Sequence, residues 1–183
     1  MTFDQFDNLQ YLATGTARQQ AAYQLLKKHR LFENLHSFDP ILAGTIPINI
    51  DIENSDLDII CCFTDKALFQ QMIISAFSGF DGFTIGDTVI NQQETIVANF
   101  NVDGWPVEVF GQYVSTGKQN AYRHMIVEYQ LLTHYGEPFR QQIIHLKKQG
   151  YKTEPAFAKL LNLQGDPYLT LLDPELISSI KGK

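Results

Sequence analysis

The chain has 183 residues, enough for one domain with a small appendage. It carries 14 Lys plus Arg against 20 Asp plus Glu, a net charge of -6, which argues against a general nucleic-acid binder but leaves room for a local basic pocket. Apolar residues make up 44%, so the chain can bury a core. No window approaches the roughly 18 apolar residues of a membrane helix. Met1–Asn8 holds two Asp and no Lys or Arg, unlike a secretory leader. Cys61 and Cys62 are neighbours, badly placed for an unstrained disulfide and too few for a zinc or iron–sulfur site. The expectation is a reduced, cytoplasmic protein with no membrane partner.

From Thr16 to Leu35 apolar residues recur at three and four, which predicts a helix capped by Thr14 or Thr16. Phe38–Gly44 reads as a short strand. Leu57–Phe63 is apolar after its acidic start and predicts a central strand buried on both faces. A helix over Asp65–Phe77 follows, capped by Thr64 or Asp65. Phe83–Ile90, Thr95–Val102 and Trp105–Phe110 are rich in β-branched and aromatic residues, and Gly86-Asp87, Asn91 and Asp103-Gly104 divide or flank them as in a meander. Beyond Gly117, Asn120–Tyr135, Pro138–Gln149, Glu154–Leu163 and Pro167–Ile180 all read as helices, separated by Gly136, Gly150 and Gly165. The layout predicts an α/β (α+β) protein. A mixed-sheet domain over residues 1–117 carries a helical C-terminal region over 118–183 packed on it.

Chemistry concentrates in Gly44–Ile59. Asp56 and Asp58 lie two apart on a strand, so both side chains point the same way. Adjacent carboxylates repel unless a positive group sits between them, and a hard divalent cation is the natural partner. Glu108, alone between valines, needs a partner too. If its strand lies beside the first, three carboxylates can hold two Mg²⁺ ions, as in phosphoryl or nucleotidyl transfer. Gly44 allows close backbone approach to a phosphate, and Thr45 adds a hydroxyl donor. Should a helix begin there, its first amides would also face the anion.

Ala43-Gly44-Thr45, ten residues, then Asp56-Leu57-Asp58-Ile59, with Val107-Glu108-Val109 later, resembles the nucleotidyltransferase superfamily that includes DNA polymerase beta and the minimal nucleotidyltransferases. The whole chain is similar to a bacterial family catalogued as domain of unknown function 4269 and described as nucleotidyltransferase-like. The resemblance implies a nucleotidyltransferase-like sheet with flanking helices. It implies transfer of a nucleoside monophosphate from a nucleoside triphosphate to an acceptor that stays open: a small molecule, an RNA end or a protein. It implies Mg²⁺ or Mn²⁺ on Asp56, Asp58 and Glu108, with Gly44, Thr45 and Ser55 at the phosphates.

This chain departs from the pattern where minimal nucleotidyltransferases often carry Arg-Gly three residues after Gly-Ser; here Ile48 and Asn49 stand, and a positive charge is lost. The alternation Ile46, Ile48, Ile50, Ile52 favours a strand over the short helix the family places there. The alternative reading is therefore a non-catalytic nucleotide-binding or protein-interaction module. In the superfamily the helix after the third strand borders the cleft, which would bring Lys118, Arg123 and His124 to the nucleotide. Arg18 reads as solvated, Trp105 as a packed aromatic, and Lys147-Lys148 as a solvated helix end. A homodimer through the helical third is a further expectation.

Overall fold

The structure is a computed structural model that describes residues 4–181. Strands β1 (Ile41–Ala43), β2 (Leu57–Cys62), β3 (Asp81–Ile90), β4 (Gln93–Val102) and β5 (Trp105–Gln112) form one sheet in the order β1-β2-β5-β4-β3. Only β2 and β5 run parallel; the other pairs are antiparallel. The meander over β3–β5 is present. Its two turns, Asn91-Gln92 and Asp103-Gly104, have positive φ at both residues, as two-residue hairpin turns require. Gly86-Asp87 lies inside β3 rather than dividing it.

The helices also follow local signals. Helix α1 covers Gln10–Ala13. Thr16 caps α2 (Ala17–Lys28) in a reciprocal capping box with Gln19. The helix expected to Leu35 breaks at Arg30, which is left-handed (φ 55°), and restarts as α3 (Leu31–Leu35). At 100° per residue a straight helix would point Leu31 and Leu35 away from Leu25 and Leu26; the break lets all four be buried. Asp65 caps α4 (Lys66–Phe77) by accepting from Leu68 N at 3.0 Å. Helix α5 (Asn120–Lys148) kinks at Gly136, two residues before Pro138. After α6 (Thr153–Leu161), the last expected helix is split into α7 (Pro167–Thr170) and α8 (Pro174–Lys181), with buried Leu171 between them.

Two apolar cores lie on the two faces of the sheet. Leu57, Ile59, Cys61, Val107 and Val109 face one, with residues of α2–α4 and β4. Ile41, Ala43 and Ile60 face the other, with Met125, Ile126, Leu131 and Ile143 of α5 and Phe157 of α6; Phe110 packs against it. Strand period two then sends Asp58 and Glu108 to the α5–α6 face. The alternation of Ile46, Ile48 and Ile50 is not that of a strand: Ile46 joins the first core, Ile48 and Ile50 the second, and residues 46–49 form a turn.

Candidate active site

The α5–α6 face opens into a cleft of about 1120 Å³. Asp58 and Glu108 are direct neighbours across the parallel β2–β5 pair. Asp56 precedes them on the same rim and is exposed, and all three line the cleft. Gly44 follows β1, whose Ala43 pairs with Asp58. Its φ is +77°, and a Cβ built there would overlap Asp58 Oδ2. Backbone and carboxylate therefore touch where the sequence pattern places the phosphate loop.

Burial, with Asp56 and Glu108 nearby, pushes the Asp58 carboxyl up to about 7, against a partial offset from Lys147. Burial and then Asp56 raise Glu108. Among the described residues no group of three Asp, Glu, His or Cys side chains is drawn together closely enough to hold a metal ion alone. The donor set still fits Mg²⁺ or Mn²⁺. It is made of hard carboxylate oxygens that repel one another, and Mg²⁺ commonly takes one or two carboxylates and completes its shell with water and phosphate.

Thr45 Oγ1 donates to Ser55 Oγ at 3.2 Å, and Ser55 Oγ also accepts from Ile52 N at 2.9 Å. Both hydroxyls line the cleft, but in this structure they tie the loop to itself. No helix begins at Gly44-Thr45. Asn49 N reaches Ile46 O at 3.2 Å and Ile50 N reaches Thr45 O at 3.1 Å, closing a turn instead. The expected row of helix-terminal amides is absent, and so is the strand suggested by alternation.

Lys118, Arg123 and His124 all border the cleft. Lys118 and Arg123 are exposed, and Arg123 Nη1 donates to Asn120 Oδ1 at 3.0 Å. His124 is buried. Its Nε2 lies 2.9 Å from the Tyr168 carbonyl, which can only accept, so Nε2 carries the proton; Nδ1 lies 3.5 Å from Glu154 Oε1. His124 thus joins α5 to α6 and α7 at the cleft wall.

Several residues differ from the sequence expectation. Lys147 is not solvated: it is 7% exposed, lines the cleft and donates to Ile50 O at 2.9 Å. Burial lowers its pKa, while Glu128, Asp51, Asp56 and Asp58 hold its proton on. Ile143, four residues earlier on the same helical face, is fully buried. Glu128 is buried in the cleft wall, and burial with Glu154 nearby pushes it up to about 8. Arg18 is not free either. Its guanidinium lies 3.8 Å from the Trp105 ring centre and donates to Glu53 O at 3.2 Å, pinning the loop before Asp56. Trp105 is packed, as expected, against the first core.

The solved structures similar to this chain include three with a TM-score of 0.51. One is a cytoplasmic RNA terminal U-transferase, 10% identical, covering 85% of this chain and 46% of that one. Another is the Cid1 poly(U) polymerase with MgGTP bound, 11% identical, covering 79% and 47%. A further Cid1 poly(U) polymerase structure is 12% identical, covering 88% and 48%. The chain spans about half the length of each, and these likenesses concern the fold. No curated protein sequence matches. The family model described as "Domain of unknown function (DUF4269)" matches residues 24–173. With that match over most of its length, the chain belongs to the DUF4269 family, and it has the fold of the nucleotidyltransferase superfamily.

Proposed function

We propose that the protein is a metal-dependent nucleotidyltransferase that moves a nucleoside monophosphate from a nucleoside triphosphate to an acceptor. The observation that carries this reading is the pairing of Asp58 with Glu108 across β2 and β5, with Asp56 beside them and Gly44 against Asp58, in one large cleft. Asp56, Asp58 and Glu108 would hold Mg²⁺ or Mn²⁺, which supplies Lewis-acid neutralisation of the phosphates and makes the acceptor hydroxyl easier to deprotonate. The acceptor oxygen attacks the α-phosphorus, the bond to the β-phosphate bridge oxygen breaks, and pyrophosphate leaves. Glu108 is the carboxylate proposed to take the acceptor's proton. Gly44, Thr45 and Ser55 border the path of the phosphates, and Lys118, Arg123 and His124 line the wall beyond.

The non-catalytic nucleotide-binding reading keeps support from one observation: the described residues hold no ready-made three-group metal cluster. Calorimetric titration of ATP, CTP, GTP and UTP with Mg²⁺ or Mn²⁺ separates the readings. Metal-dependent binding that is lost in Asp56→Ala/Asp58→Ala, followed by pyrophosphate release with a suitable acceptor, is the expected result. Binding that ignores the metal and survives the double substitution favours the binding module. No binding of any nucleotide to the wild type sinks both.

A further inference from the structure

The segment from Gly44 to Ser55 links β1 to β2 without regular structure, so many of its carbonyls need partners from elsewhere. Five consecutive carbonyls find them on two helices. Gln19 Nε2 of α2 donates to Ile46 O at 2.9 Å and Pro47 O at 3.0 Å. Arg140 Nη1 of α5 donates to Ile48 O and, at 3.0 Å, to Asn49 O. Lys147 Nζ of α5 donates to Ile50 O at 2.9 Å. Arg140 and Lys147 are seven residues apart, two helical turns, and so share one face of α5.

Asn49 adopts φ +58°, a conformation that favours glycine, and it sits where Arg140 grips. The positive charge absent from the loop's own sequence at Ile48-Asn49 is therefore present in space, delivered from a helix about ninety residues later. Arg140 is partly buried, and Glu137 lies 3.3 Å from its Nε. Lys147 is the deeper of the two and lines the cleft among Asp51, Asp56, Asp58 and Glu128.

Resting on the nucleotidyltransferase reading, we propose that Arg140 and Lys147 are the positioning residues of the triphosphate site. Arg140 and Lys147 fix the backbone of residues 48–50, and Lys147 places its ammonium beside the carboxylates and the phosphate path. Two consequences follow. The loop is held from behind, by its carbonyls, rather than by a helix of its own. And Lys147 offsets part of the carboxylate repulsion at Asp58 before any metal arrives.

The test compares wild type, Lys147→Met, Lys147→Arg and Arg140→Gln, with Lys148→Met as the exposed neighbour on the same turn. Calorimetry measures Mg²⁺-dependent binding of ATP and of AMP, and melting curves report the fold. The expected result is a loss of at least about tenfold in ATP affinity for Lys147→Met, a smaller loss for AMP, substantial recovery in Lys147→Arg, and wild-type behaviour in Lys148→Met. A merely structural role would weaken both nucleotides equally. Equal losses for ATP and AMP, or an unchanged ATP affinity in a folded Lys147→Met, overturn the proposal. If Lys147→Met does not fold, Arg140→Gln, which keeps a donor and removes the charge, is read by the same ATP-to-AMP ratio. Wild type that binds neither nucleotide defeats the nucleotidyltransferase reading itself, a result distinct from variants that match a binding wild type.

Discussion

Gly44 is the residue at which conformation and chemistry constrain one another most tightly. Its positive φ alone costs an L-residue roughly 1–2 kcal/mol. A side chain there also meets the carboxylate of Asp58, which cannot move far between β1 and β5. Gly44→Ala is expected to destabilise the protein by more than the conformational cost, as measured by urea denaturation. In an Asp58→Ala background the overlap is gone, so the same substitution should cost only the conformational part. The two changes are in contact and should therefore be non-additive. Equal costs in both backgrounds would mean that Gly44 is there for its φ alone. Glycine, threonine, the Asp-x-Asp pair and Glu108 were all legible in the sequence because strand period two and the spacing of the motif are local rules. Lys147 and Arg140 were not, because nothing local says that a helix end will meet a loop about ninety residues earlier in the chain.

The elements show the same division. Caps and turns were readable: Thr16 with Gln19, Asp65, and the positive-φ pairs of the meander are each decided within a few residues. Breaks were harder. The interruption at Arg30 and the split after Thr170 occur because Leu31, Leu35 and Leu171 must reach a core that only the assembled sheet defines. The loop after Gly44 failed as both helix and strand, because its isoleucines serve two cores and its carbonyls are taken by side chains. Within α5 the kink at Gly136 has φ 75° and ψ -167°, a region open essentially to glycine. A Cβ would find open space there, with only Pro138 Cδ at 4.0 Å, so the cost of Gly136→Ala is conformational. It should lower stability by about 1–3 kcal/mol. It should also weaken nucleotide binding, since the kink aims the half of α5 that carries Arg140 and Lys147. Gly117→Ala, which meets nothing within 4 Å and has no positive φ, is the matched control and should be close to neutral. Unfolding curves for the two variants decide the matter; a neutral Gly136→Ala would show that α5 can straighten without loss.

On the scale of the whole molecule, one side of the sheet is built for stability and the other carries an electrostatic cost. The first core is built from apolar side chains of α2–α4 and the sheet, whereas the α5–α6 side encloses Asp58, Glu108 and Glu128 with Lys147. Asp58 is raised from 3.8 to about 7 and Glu128 from 4.5 to about 8, in both cases chiefly by burial. Below about pH 3 the folded and unfolded chains both hold these protons, and the carboxyls cost nothing. As pH rises the unfolded chain releases them first, while the folded protein keeps them until it passes its own higher pKa values. The folded state therefore binds more protons across this window, and stability must fall as pH rises through it. Each pKa unit corresponds to about 1.4 kcal/mol, so the two groups together predict a loss of several kcal/mol between about pH 5 and about pH 8.5. Lys147, whose pKa is lowered, acts in the opposite sense and at more alkaline pH. Urea denaturation in EDTA across that range should show the decline. Glu128→Gln should flatten it, and so should Asp58→Asn, because neither amide has a proton to release. A stability that is level or rising from pH 5 to 8.5 would mean that water or a rearranged Lys147 already neutralises the cleft. Millimolar Mg²⁺ with a nucleoside triphosphate should restore stability most at the alkaline end, where the carboxylates are ionised and free to bind it. That pH-dependent gain would connect the cost built into this face of the sheet to the chemistry proposed for it.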